Sequence, residues 1–210
     1  DSEGNEAGRL PSVAVEPEQE LNFESYKLST PAATLNAAVI RPKNFSKGKK
    51  YPVIVDVYGG PHKIQVSSTR KNWVVDQWLA DQGFVVVAID NRGTPHRGIA
   101  FETAVYGKFD SVPLEDQCQG LTALSRQIPE MDMKRVGIFG WSFGGFLSAQ
   151  AVLKRPDVFK AAVAGAPAWA ARTGIALELT PTPAFAKRRS VEQFSIWSIV
   201  GGARGFRSAL

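Results

Sequence analysis

Cysteine, histidine and methionine are the residues this sequence has least of, with one cysteine, two histidines and two methionines among 210 residues. The single cysteine, Cys118, excludes an internal disulfide and a metal site built from several cysteines, and its helical spacing predicts a half-buried helix residue. No run of 18 apolar residues is present, so no membrane-spanning helix is predicted. The chain starts at Asp1 without a basic-then-apolar leader, which favours a processed product or a fragment and leaves the compartment undetermined.

The net charge of +5 is a property of the C-terminal segment. Residues 1–167 carry 19 basic and 18 acidic side chains, whereas residues 168–210 carry 6 basic and 2 acidic ones. A nucleic-acid surface requires a basic stripe across the folded domain, and this distribution does not provide one. No nucleic-acid partner is therefore predicted.

Short apolar, β-branched runs alternate with amphipathic helical patterns over residues 21–167. Such alternation is typical of an α/β fold with a mostly parallel sheet and helices on both faces. The predicted strands cover 23–28, 35–40, 53–58, 84–89, 135–139 and 161–164, and the predicted helices cover 73–79, 114–124 and 146–153.

A glycine-rich turn follows the strand predicted at 135–139 and reads Gly140-Trp141-Ser142-Phe143-Gly144-Gly145. In a nucleophile elbow the serine occupies a strained strand-to-helix turn, and small residues on either side let neighbouring backbones pass closely. This context predicts Ser142 as a nucleophile, with a helix N-terminus behind it that favours a developing oxyanion. Trp141 is expected to pack against the elbow. The alternative is a turn whose serine only caps the helix.

Five ordered motifs, the elbow included, resemble the catalytic domain of the prolyl oligopeptidase family, and most of all its dipeptidyl peptidase IV branch. That branch has tyrosine at the two positions where the elbow here has Phe143 and Phe146. The resemblance runs from about residue 21 to residue 167 and implies an α/β-hydrolase fold, truncated after about the sixth strand. The other four motifs are Tyr58-Gly59-Gly60-Pro61, Asp90-Asn91-Arg92-Gly93, Glu115-Asp116-Gln117 and Gly165-Ala166-Pro167.

The resemblance implies which groups hold the oxyanion. In that family the tyrosine after the strand and the backbone N–H after the serine do so, which are Tyr58 and Phe143 in this sequence. Without the resemblance, Tyr58 also fits as an aromatic residue at a strand end. Asp90 and Arg92 are predicted to form a structural turn pair, and the acidic residues of the Glu-Asp-Gln motif to favour a helix N-terminus.

The sequence lacks the rest of a catalytic triad. In this fold the triad follows the chain order Ser, Asp, His. After Ser142 there is no histidine, and the one aspartate, Asp157, follows a predicted helix end. His62 and His96 precede the serine and are not expected to act as its base. A serine without a base is a weak nucleophile at neutral pH, so negligible turnover is predicted for this chain.

Residues 168–210 contain no Asp, Asn, Tyr or His. We expect a reading-frame slip or misjoined coding segments near codon 168. Three segments are predicted: a linker or remnant of a preceding β-propeller domain at 1–20, the N-terminal part of a hydrolase domain at 21–167, and an atypical tail at 168–210. The strand at 161–164 is then an unpaired sheet edge, which the apolar residues of 194–200 either cover or turn into an aggregation site.

The leading hypothesis is a fragment of a serine peptidase that cleaves short peptides through an acyl-enzyme on Ser142. The resemblance implies Pro or Ala before the scissile bond and a β-propeller in the full-length protein. Two alternatives stay open: an esterase-type acyl hydrolase, and a non-catalytic module or pseudoenzyme that binds a partner. Neither a metal nor an organic cofactor is predicted, and the sequence does not indicate an oligomeric state.

Overall fold

The structure, a computed structural model, describes residues 8, 20–69, 73–167 and 196–199. These residues form seven strands and four helices. The strands are β1 (Phe23–Ser29), β2 (Thr34–Ile40), β3 (Tyr51–Asp56), β4 (Val85–Asp90), β5 (Met131–Trp141), β6 (Phe159–Gly165) and β7 (Ile196–Ile199). The helices are α1 (Val74–Asp81), α2 (Ile99–Thr103), α3 (Val112–Gln127) and α4 (Phe143–Lys154).

All seven strands belong to one sheet in the order β1-β2-β4-β3-β5-β6-β7. Strands β4, β3, β5 and β6 are parallel to one another, as the alternation of apolar runs and helices predicts. β2 is antiparallel to both β1 and β4, so a hairpin adds to one side of the parallel core. The predicted α/β class with a mostly parallel sheet is confirmed.

Strand β4 shows why this sheet must be covered on both faces. Every residue from Val85 to Asp90 is buried. Val85, Val87 and Ile89 pack into a core with α3 and α4, whereas Val86 and Ala88 pack into a second core with Trp73 and Ala80 beside and within α1. Successive side chains point to opposite faces, so a strand that is buried on both faces needs helices on both sides.

The two central strands are followed by helices on opposite faces of the sheet. β3 leads to α1, which packs on the face of Trp73, and its neighbour β5 leads to α4, which packs on the other face. Two adjacent parallel strands whose connections leave in opposite directions open a crevice at their carboxyl ends, where ligands bind in open α/β sheets. A ligand site is therefore expected at the ends of β3 and β5.

The expected unpaired edge at β6 is wrong for the described residues. β7 pairs antiparallel with β6, so that Gly165 lies opposite Ile196 and Ala162 opposite Ile199. Part of the compositionally atypical tail thus extends the sheet. The remaining tail, the predicted linker at 1–20 apart from Gly8 and Glu20, and the proposed break at codon 168 lie outside the described residues. None of the helices in the described ranges is long and apolar enough to cross a membrane.

Candidate active site

Ser142 occupies a strained turn between β5 and α4. Its backbone has φ 58° and ψ −115°, a left-handed conformation that a non-glycine residue adopts only when its surroundings enforce it. Two hydrogen bonds do so: the Ser142 N–H donates to the Gly165 carbonyl at 2.9 Å, and the Phe146 N–H donates to the Ser142 carbonyl at 3.0 Å. The serine therefore stands at the carboxyl end of β5, half-buried, at the N-terminus of a helix.

The glycines on either side of Ser142 let the end of β3 approach the elbow. A Cβ atom on Gly140 would lie 2.2 Å from the Val57 carbonyl oxygen, and one on Gly144 would lie 2.0 Å from the same oxygen. Real side chains do not reach such distances, so any larger residue at either position would separate β3 from β5. The motif's small residues serve this close approach.

Tyr58 follows directly on that contact and faces the elbow. It is half-buried, and its ring centroid lies 6.1 Å from that of Phe143, the first residue of α4. The Phe143 ring is buried and also contacts Phe109 and Phe146, at centroid distances of 6.0 and 5.8 Å. Since Phe143 is in the first helical turn, its backbone N–H belongs to the groups without an intrahelical acceptor.

A cavity of about 540 Å³ opens at the carboxyl ends of β3, β5 and β6 and contains both Tyr58 and Ser142 in its walls. This volume lies in the range of small-molecule and peptide-side-chain sites. Trp141 forms another wall; it is about half exposed, and its ring covers Gly165. Trp73 and the segment 63–65, which follows Tyr58, also line the cavity. The structure thus brings the predicted nucleophile and the predicted oxyanion tyrosine to one cavity.

Three aspartates that sequence analysis did not single out for this cavity surround the segment 63–65. Asp56 in the cavity wall accepts a hydrogen bond from the Gln65 amide, and Asp90 accepts from the Gln65 and Val66 backbone N–H groups. Burial raises the pKa of Asp90 to about 6, and burial together with the charge of Asp56 raises the pKa of Asp76 to about 7. Burial also raises the pKa of Asp56.

His62, His96 and Asp157 do not line the cavity. His62 and His96 lie in loops after β3 and β4, and neither contributes to the cavity wall. Asp157 is exposed and pairs with Arg155 at 2.7 Å just beyond α4; this bond lowers its pKa. Within the described ranges, the titratable side chains of the wall are Asp56, Tyr58 and Lys63, and the Lys63 ammonium lies 5.1 Å from the centre of the Tyr58 ring.

Asp90 and Arg92, predicted as a structural turn pair, each make structural contacts but bind different partners. Asp90 holds the backbone of segment 65–66, and Arg92 instead binds Asp116 of α3, through its backbone N–H at 2.8 Å and its guanidinium at 2.7 Å. Asp116 is completely buried and lies near the start of α3. Its charge is matched by the guanidinium of Arg92.

Cys118, a few residues further along α3, is buried, and burial raises the pKa of its thiol to about 11.

The chain is similar in sequence to known proteins of one family. A model of the prolyl oligopeptidase family matches residues 71–182, which runs past Pro167 into the tail. The chain is 42% identical over 164 residues to dipeptidyl peptidase 8 of Mus musculus, covering 77% of this chain and 18% of that protein. It is 39% identical over 149 residues to prolyl endopeptidase FAP of Homo sapiens, covering 69% and 19%.

A solved structure of a dipeptidyl peptidase has a fold similar to that of this chain. The crystal structure of Porphyromonas gingivalis dipeptidyl peptidase 4 superposes with a TM-score of 0.62 at 33% sequence identity. The superposition covers 68% of this chain and 20% of that one. This chain therefore spans about a fifth of the length of the relatives it matches.

Proposed function

We propose a serine-peptidase function for this chain, which belongs to the prolyl oligopeptidase family and to its dipeptidyl peptidase IV-like branch. The observation that carries the proposal is the strained backbone of Ser142 in the wall of a cavity that Tyr58 also lines. A positive φ at a serine is enforced by the two backbone hydrogen bonds that hold it, and such strain concentrates at active sites.

In the proposed reaction, the Ser142 hydroxyl oxygen attacks the carbonyl carbon of a peptide bond. The carbonyl oxygen becomes an oxyanion, which accepts hydrogen bonds from the Tyr58 hydroxyl and the Phe143 backbone N–H. The carbon–nitrogen bond then breaks, the amine takes up a proton and leaves, and water hydrolyses the resulting ester on Ser142. The Phe143 ring contacts the Tyr58 ring, which brings the two residues that supply the proposed donors next to each other.

The proton of the Ser142 hydroxyl requires a base that these 210 residues do not supply in the usual order. We propose that the triad aspartate and histidine belong to a longer gene product, and that a frame shift within the tail at 168–210 separates them from this chain. Because the family match extends to residue 182, the shift lies beyond the codon 168 that composition suggests. The segment 1–20 is then the remnant of a preceding β-propeller domain, and 21–167 the first part of the peptidase domain. The 210-residue chain alone is expected to show only the small residual catalysis of an oxyanion hole without a base.

Short peptides with Pro before the scissile bond are the proposed substrates. The relatives support this, because their names describe dipeptidyl peptidases and a prolyl endopeptidase. Cleavage of a Xaa-Pro anilide by the protein expressed from its complete gene, and its loss in Ser142→Ala, tests the proposal. Higher activity on a simple ester than on the anilide would favour an esterase instead.

A second candidate function is a non-catalytic module on the same scaffold. The observation in its favour is that no histidine lies in the cavity wall within the described part of the chain. This function predicts that Ser142→Ala changes neither turnover nor partner binding, so the same variant separates the two candidates.

A further inference from the structure

A buried chain of amide groups links α3 to the loop that carries Tyr58. The Gln117 side chain donates to the Asn91 side-chain oxygen at 3.0 Å and to the Ile89 carbonyl at 2.9 Å. The Asn91 side chain in turn donates to the Gly59 carbonyl at 2.9 Å and to the Arg92 carbonyl at 2.6 Å. Both amide side chains are completely buried. Their orientation is therefore fixed by hydrogen bonds that cannot be replaced by water without opening the core.

The acceptor at the end of this chain is the carbonyl of Gly59, the residue that follows Tyr58. Gly59 has φ 72°, and a Cβ atom there would lie 2.4 Å from the Leu147 side chain and 3.2 Å from the Asn91 oxygen. Gly60 is equally confined, because its Cβ would lie 2.6 Å from the Phe143 ring. The peptide of Gly59 thus fits between α4 and Asn91, and the hydrogen bond from Asn91 fixes the direction in which its carbonyl points.

We infer that Asn91, oriented by Gln117, is a positioning residue that places the Tyr58 hydroxyl for the oxyanion. The inference rests on the proposed peptidase function, since it assigns a role through Tyr58. Oxyanion donors act only within a narrow distance of the developing charge, so a shift of the Gly59 backbone that displaces the adjoining Tyr58 moves the hydroxyl out of range. Asn91 itself does not line the cavity and does not meet substrate.

The experiment measures kcat and KM for a Xaa-Pro anilide in the protein expressed from its complete gene. Asn91→Leu keeps the size of the side chain and removes the hydrogen bond to Gly59. Thr94→Val is the matched control, because the buried Thr94 hydroxyl donates to the Asn91 backbone carbonyl at 3.0 Å and leaves the Asn91 side chain untouched. Each variant is made with Tyr58 present and in a Tyr58→Phe background.

We expect Asn91→Leu to lower kcat by about 10- to 100-fold with KM almost unchanged, since a misplaced donor affects the transition state more than the bound substrate. In the Tyr58→Phe background, Asn91→Leu should lower kcat no further. Gln117→Met should show the same pattern with a smaller loss. Thr94→Val should stay within about threefold of its own parent, both with Tyr58 present and in the Tyr58→Phe background.

The outcomes distinguish failure of this inference from failure of the proposed function. If Asn91→Leu lowers kcat by the same factor with and without the Tyr58 hydroxyl, Asn91 has only a structural role and the inference is overturned. If Tyr58→Phe alone leaves kcat unchanged, the oxyanion role proposed for Tyr58 fails, and the inference fails with it. Hydrogen exchange provides a readout that needs no turnover: Asn91→Leu should speed exchange of segment 57–60, and Thr94→Val should not. Unchanged exchange in Asn91→Leu overturns the inference.

Discussion

The carbonyl oxygen of Val57 lies in the space that a side chain on Gly144 would occupy, 2.0 Å from the point where a Cβ atom would stand. This contact joins the end of β3 to the first turn of α4. The contact therefore connects the loop that carries Tyr58 to the turn that carries Ser142. The distance between the proposed nucleophile and the proposed oxyanion donor thus depends on Gly144 having no side chain.

Gly144→Ala is expected to prevent or severely weaken folding, because backbone atoms of β3 would have to move. Gly120→Ala is the control: its Cβ meets the flexible end of the Ile89 side chain at 2.8 Å, so it should cost no more than about 1–3 kcal/mol. Chemical denaturation of both variants measures the difference. Equal stabilities would show that β3 can shift away from the elbow.

Tyr58→Phe is expected to lower kcat of the complete gene product by about 10²- to 10³-fold, which is the usual cost of losing one oxyanion donor. The control is Tyr26→Phe, which removes a hydroxyl that bonds Glu24 on the edge strand β1. Steady-state kinetics on a Xaa-Pro anilide compares the two. A loss confined to KM in Tyr58→Phe would mean that Tyr58 binds substrate without stabilising the oxyanion.

Asp76→Asn is expected to stabilise the protein at pH 8 and to have little effect at pH 4. Burial raises the pKa of Asp76 to about 7, so the folded state retains a proton that the unfolded state has lost. The stability that this group contributes is therefore complete below pH 4 and lost as the pH rises through 7.

Each pKa unit is worth about 1.4 kcal/mol, which sets an upper limit of about 4 kcal/mol for the gain at pH 8. Urea denaturation at the two pH values measures it. Asp110→Asn is the control. The bond to Lys154 lowers the pKa of Asp110, so this substitution should destabilise the protein at pH 8, the opposite of the effect expected for Asp76→Asn. An equal gain for Asp76→Asn at both pH values would contradict a raised pKa.

Asp116→Asn is expected to destabilise the protein by about 3 kcal/mol, because it leaves the Arg92 guanidinium without the buried charge that it binds. The control is Asp157→Asn, which breaks an exposed pair with Arg155 and should leave the unfolding midpoint close to that of the wild type. Thermal unfolding at neutral pH compares them. Similar midpoints for both variants would show that the Arg92–Asp116 pair contributes no more than a surface pair.

The fold follows from the sequence wherever local pattern decides structure. The continuous apolar run of β4 predicts a strand covered on both faces, and the position of Ser142 between a strand and a helix predicts a turn there. The ends of the strands are predicted less accurately. β5 begins at Met131, four residues before its predicted start, because its first residues pair with Tyr51 and Pro52 of β3 across a register shift. Long-range pairing of this kind leaves no local signal.

The same limit explains the site residues that the sequence does not indicate. Asn91 stands inside a recognised turn motif, but its partners, Gly59 and Gln117, lie 32 and 26 residues away. Asp76 falls on the buried face of α1 and carries no motif. The apolar residues around β7 predict a cover for the edge of β6 but not a paired strand, because composition does not specify pairing.

Turnover of a Xaa-Pro anilide by the protein expressed from its complete gene, compared with its Ser142→Ala variant, tests the central claim most directly. The account predicts hydrolysis that Ser142→Ala abolishes. The 210-residue chain on its own should not exceed its own Ser142→Ala variant, because it lacks the base. Equal turnover of the complete product with and without the Ser142 hydroxyl would contradict the claim and leave the binding module as the better account.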